Sequence, residues 1–163
     1  MRRLVLVWLV ALAAASAALA VNPKFWITAI TIGDANLHWS ASEYRSLWGA
    51  PVTVDHLKPS GYTRLRFPRR HIEVYFRAGT RAAVAIVTWD RRDRTLDHIG
   101  PCATVAALRH AYAEASPIRQ GSRVVAYRLG RLVFTAESKR VGDVMLALPS
   151  VPAGIALNAP ECR

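Results

Sequence analysis

The chain has 163 residues, 22 Lys+Arg against 11 Asp+Glu and a formal net charge of +11. That length fits a single domain with its own buried core. The charge favours anionic partners: cell-wall polymers, lipid head groups, acidic proteins or nucleic acid. Arginine- and alanine-rich composition is equally what GC-rich codon usage leaves behind without any selected partner.

The first residues, Met1-Arg2-Arg3, are followed by an apolar run of about 17 residues, at the lower limit for crossing a membrane. Ala18-Leu19-Ala20 ends that run with the small side chains a signal peptidase accepts. We expect a signal peptide over residues 1–20, the general secretory route, and a secreted or periplasmic domain over residues 21–163. An uncleaved anchor is the alternative, and it would be the one means of membrane contact. Arg2 and Arg3 leave with the signal, so the excess falls from +11 to +9. Almost all of it is arginine; the lysines are Lys24, Lys58 and Lys139.

Residues 25–32 are β-branched and aromatic and read as a strand. Ser40 then opens a helix as N-cap with Glu43 at the capping-box position. That helix runs through Tyr44, Leu47 and Trp48 to Gly49-Ala50-Pro51. Three strands follow at residues 61–67, 70–77 and 82–89, with turns at Pro68-Arg69 and Ala78-Gly79-Thr80. The charged run 90–94 breaks the pattern. A second helix carries Val105, Leu108 and Tyr112 and stops at Ser116-Pro117. Strands at 123–129, 131–137 and 141–148 come next, and residues 149–163 read as an irregular tail.

The order of elements repeats, a helix and then a meander, over residues 34–89 and 98–148. Tyr44-Arg45-x-x-Trp48 matches Leu108-Arg109-x-x-Tyr112. The expected fold class is α+β: short helices packed on one face of antiparallel β-meanders, as two tandem repeats after the signal helix. A helix covers only one face of a meander. Leu65, Phe67, Ile72, Val74 and Phe76 would face the helices in the first half. Leu132, Phe134, Val144, Leu146 and Leu148 would do so in the second. The opposite face then carries Arg64, Arg66, Glu73 and Tyr75, residue types that serve at interfaces. These four are the candidate binding residues; an ordinary solvated sheet face is the competing reading. Cys102 and Cys162 are the cysteine pair of an exported chain, and we expect a disulfide between them. There is no C-x-x-C, so no redox role is expected.

The tandem resembles the secreted β-lactamase-inhibitor-protein type of fold and the related outer-membrane lipoprotein domains of the SmpA/OmlA kind. Ser42-x-x-x-x-Leu47-Trp48-Gly49-Ala50-Pro51 and Val105-x-x-Leu108-x-x-x-Tyr112, each followed by strands, carry the resemblance across most of residues 34–148. It implies binding through a sheet face and no catalysis. No inhibitor contact motif can be matched, and the inhibitors' disulfides are not reproduced.

The histidines at 38, 56, 71, 98 and 110 lack the spacing of a metal site. Asp90, Asp93, Asp97 and His98 cluster, but Arg91, Arg92 and Arg94 interrupt them, which reads as a solvated linker neutralised by salt bridges. Glu43, Glu73 and Glu114 have nothing that distinguishes a glycosidase pair. No nucleophile elbow or phosphate loop occurs. The expectation is a non-enzymatic module, without cofactor or metal, that binds a protein or an anionic cell-envelope polymer. Nucleic acid is not an expected partner of an exported chain. The alternatives are a structural envelope protein held by general charge and, behind it, an unrecognised hydrolase.

Overall fold

The computed structural model describes residues 25–58, 60–156 and 162. The expected signal segment lies outside them. No helix of the described residues is long and apolar enough to cross a membrane.

The apolar run at the start is not one strand. Trp26 and Ile27 make isolated bridges, to Arg94 and Ile32. Thr31–Ile32 (β1) pairs with Ala35–Asn36 (β2) in a small hairpin. Thr28 is the reason for the break. Its hydroxyl accepts from the Thr31 amide at 2.9 Å, and its own amide donates to the Thr31 carbonyl at 2.8 Å. The chain therefore folds back where an extended strand would have continued.

Helix α1 spans Ala41–Trp48 and starts as its sequence implies. The Ser40 hydroxyl accepts from the Glu43 amide, and the Glu43 carboxylate accepts from the Ser40 amide at 2.7 Å. Both ends of the capping box are thus closed. Four strands follow: β3 (Thr53–Leu57), β4 (Tyr62–Phe67), β5 (Ile72–Arg77) and β6 (Ala85–Thr88). Helix α2, Val105–Ala111, is capped by Thr104. Behind it come β7 (Ser116–Gln120), β8 (Arg123–Leu129), β9 (Leu132–Glu137) and β10 (Arg140–Ala147).

The eight strands make one antiparallel sheet in the order β3-β4-β5-β6-β10-β9-β8-β7. Each meander has four strands, where the sequence suggested three. The additional ones, β3 and β7, are the two sheet edges. Ser116-Pro117 does not end α2; it begins β7. Proline is tolerated there because an edge strand has one side without ladder partners.

Tyr44 and Leu108, the buried residues of the two helices, pack on one face of this sheet. Against them lie Leu65, Phe67, Ile72, Val74, Phe76, Phe134, Val144 and Leu146, with Leu132 and Leu148 at the margin. The helix-facing set read from alternation is therefore the set observed. The opposite, outer face differs from its expected open form. Tyr75, Ala85, Val87, Val133, Met145 and Ala147 form a second buried cluster there. Val151, in the chain beyond β10, belongs to that cluster, and Ala153 and Ile155 pack against it. A disulfide joins Cys162 to Cys102, with Cα atoms 5.4 Å apart. The Cys102 amide donates to the carbonyl of Val141, at the opposite end of β10 from Leu148. The tail thus leaves from one end of β10 and is bonded beside the other.

Candidate functional site

Alternation along β4 and β5 turns Arg64, Arg66, Glu73 and Tyr75 to the outer face. Register then sets Arg64 opposite Tyr75 and Arg66 opposite Glu73. All four proposed residues are brought together around the Glu73 carboxylate. One oxygen lies 3.5 Å from the Arg64 guanidinium and 3.3 Å from Arg66 Nε. The other accepts the Tyr75 hydroxyl at 2.7 Å. Asp55 on β3, directly across from Arg64, takes two further bonds from it at 2.7 and 3.0 Å. Arg64 is therefore pinned by two carboxylates. Burial alone would lower its pKa, but the Asp55 hydrogen bonds and the Glu73 charge raise it above the usual value.

The four differ in access. The Arg66 side chain is 47% exposed, and its guanidinium lies over the Trp89 ring, 5.6 Å from the centroid. Glu73 and Tyr75 are only 5% and 1% exposed. The Tyr75 hydroxyl also lies 3.4 Å from the Ile155 carbonyl, where the tail crosses the strand. Burial, and then the neighbouring Glu73 carboxylate, push the Tyr75 pKa well up. Glu73 and Tyr75 thus form the support beneath Arg64 and Arg66, not a contact surface.

A second buried acid lies further across the same sheet. The register of β10 shifts between Val141 and Val144. In that bulge the Asp143 amide turns to the Thr135 hydroxyl at 2.6 Å. Asp143 is 1% exposed, and its Oδ1 has no hydrogen-bond partner. Burial first, then the charges of Glu73 and Glu137, push its carboxyl up to about 8. The signal in the sequence was a Gly142-Asp143 pair inside an otherwise apolar run, which marks a bulge.

The charged run after β6 is not a solvated linker. Asp93 is 3% and Asp90 7% exposed. Asp93 accepts a hydrogen bond from the Thr88 hydroxyl. Burial raises its carboxyl to about 7, with the Asp90 charge acting in the same direction. Asp90 is held by Arg92 at 2.7 Å and lies 3.6 Å from the His71 ring. Burial would raise the Asp90 carboxyl, but the Arg92 hydrogen bonds outweigh it and leave it lowered. A cleft of about 150 Å³ opens beside these residues, with Asp34, Arg70 and Phe25 on its other walls. Gly100 closes over Asp93. A Cβ there would lie 2.0 Å from the Asp93 carbonyl oxygen.

Asp97 and His98 are exposed. Among the described residues no group of three or more His, Cys, Asp or Glu side chains could hold a metal ion. Glu43 is committed to the α1 cap and Glu114 is exposed just beyond α2, so neither joins Glu73. What the outer face can do chemically is hold two guanidinium groups in fixed orientation, one of them reachable from solvent. No protein-family model matches the chain, and no curated protein or solved structure matches it either.

Proposed function

We propose that the protein is an exported, non-catalytic binding module that uses its outer sheet face to hold a protein or an anionic component of the cell envelope. The observation that carries this reading is the half-exposed Arg66 guanidinium, fixed between the Trp89 ring and the Glu73 carboxylate. A guanidinium held in this way has already lost much of its side-chain freedom, so ordering it on binding costs less. The Glu73 carboxylate is engaged by two arginines and a tyrosine, which suits a support better than a proton-transfer group.

Export is supported by the signal-like residues 1–20 and by the Cys102–Cys162 bond, a linkage of oxidising compartments. Sequencing the N-terminus of the protein released by its host tests this part. A start at Val21 is expected; an intact Met1 start would contradict it. The two halves are read as repeats of one helix-plus-meander unit, as in the inhibitor-type folds. Their matching element order supports that reading.

The second reading is a structural envelope protein held by general charge. Arg109, Arg119, Arg123 and Arg131 favour it, because all four are exposed in the half of the chain away from Arg66. Salt separates the two. Attraction spread over the surface collapses when the Debye length falls to about 3 Å near 1 M salt. A shaped site keeps most of its affinity. Retention on isolated envelopes at low and high salt is the experiment, and retention lost entirely at high salt would favour general charge.

A further inference from the structure

The two edges of the eight-stranded sheet, β3 and β7, are built differently. β7 is guarded. Pro117 has no amide to offer, the register shifts between Ile118 and Arg119, and Arg119 is exposed. Proline, irregular register and exposed charge are the features that keep an edge from pairing with another chain. β3 carries neither proline nor lysine, and it pairs with β4 in unbroken register from Thr53 to Leu57. Val54 is 45% exposed, and Val52, just ahead of the strand, is 75% exposed. No described strand lies beyond β3.

The backbone decides which groups this edge offers. The Val52 amide donates to the Arg66 carbonyl at 3.0 Å, so Arg66 turns its polar backbone groups toward β3. Its register partner Thr53 therefore turns toward β4. Alternation then points the amides and carbonyls of Val54 and His56 away from the sheet. The side chains alternate as well. Val54, across from Leu65, lies on the helix side, while Thr53 and Asp55, across from Arg66 and Arg64, lie on the outer side. The Asp55 charge is matched by Arg64 at 2.7 Å.

This row is complementary to itself in an antiparallel pairing about a two-fold axis. Centred on Asp55, the pairing would set two carboxylates directly opposite, which destabilises a ladder. Centred on Val54, it sets valine against valine and the Asp55 carboxylate against the Thr53 hydroxyl. Val54 has outward backbone groups, so two copies can exchange its amide and carbonyl at the centre of the seam. The outer row across the seam then reads Arg66, Thr53, Asp55, Arg64, with the acid between the cations.

We propose that two copies of this chain join antiparallel through β3, with Val54 on the two-fold axis, into one continuous sheet. Both outer faces then lie on the same side, so the two Arg66 groups point the same way. The pairing does not depend on what that face binds. A five-residue edge makes a small interface, so the dimer is weak and its population follows concentration. Sedimentation of the full chain from micromolar to millimolar concentration, with amide exchange at both ends of that range, is the test. A monomer–dimer equilibrium is expected, with the Val54 and His56 amides protected only at high concentration and the Thr53 amide at both. Val54→Lys sets two cations opposite each other on the axis and should weaken the dimer by about tenfold or more. Its unfolding curve at low concentration checks that the monomer is intact. Arg119→Gln, on the other edge, should leave the dimer unchanged. A monomer at every concentration would overturn the proposal, whether or not some other chain pairs with the edge. So would a dimer that Val54→Lys leaves as tight as before, or one that protects β7 in place of β3.

Discussion

At the scale of single residues, the buried acids make the sharpest predictions. Asp143 has a folded carboxyl raised to about 8, against about 4 for an unfolded aspartate. The folded state therefore holds this proton more tightly than the unfolded state. Its contribution to stability is complete below about pH 4 and is lost as pH rises through about 8. Asp93, raised to about 7, acts with the same sign over a window that ends nearer neutrality. Asp143→Asn should flatten the stability profile across that range and be more stable than the wild type near pH 8.5, because it cannot form the buried charge that the aspartate acquires there. Denaturant unfolding at several pH values checks it; an unchanged profile would mean that Asp143 is not carrying a buried charge. Glu73→Gln should lower the Asp143 pKa, because one of the charges raising it is gone. An NMR titration of the Asp143 side chain reads that shift. The variant should also cost stability, since it leaves Arg64 and Arg66 short of their shared carboxylate.

At the scale of elements, helix α1 rests on its cap. Ser40→Ala should cost about 1 kcal/mol in thermal or denaturant unfolding. Gly100→Ala should cost more, at least about 2 kcal/mol, because its Cβ would meet the Asp93 backbone and cannot be relieved by a rotamer change. Alternation and capping signals made α1, the middle strands and the helix-facing residues legible in the sequence. Those signals report burial on one side, and Leu65 to Phe76 carry them clearly. The edge strands were hidden for the same reason. In β3 the run Thr53–Leu57 holds Asp55 and His56 and alternates only between half-buried and exposed. Pro117 in β7 looked like a stop and is tolerated because that strand lies at an edge. The apolar run 25–32 misled in the opposite sense. Only Ile27 and Ile32 of it are buried, Ala29 and Ile30 are exposed, and Thr28 turns the chain back on itself.

For the whole molecule, the tail decides what the outer face offers. The grouping of Arg64, Arg66, Glu73 and Tyr75 was legible from period-two alternation. The burial of Tyr75 was not, because residues 151–155, some 80 positions further along the chain, pack on its face of the sheet, and Glu73 is enclosed by its bonds to Arg64, Arg66 and Tyr75. Cys102→Ser/Cys162→Ser should lower stability by up to on the order of 4 kcal/mol for a 60-residue loop. It should also speed amide exchange in residues 151–155 before that of β10, if the bond holds the tail in place. The central claim is that a shaped site around Arg66, and not the overall positive charge, binds the envelope component. The most direct measurement is retention of the protein on isolated envelopes for the wild type, Arg66→Gln and Arg123→Gln, which remove one exposed cation each. We predict that Arg66→Gln loses about tenfold or more in affinity while Arg123→Gln stays within about twofold. Equal losses in the two variants would contradict the account.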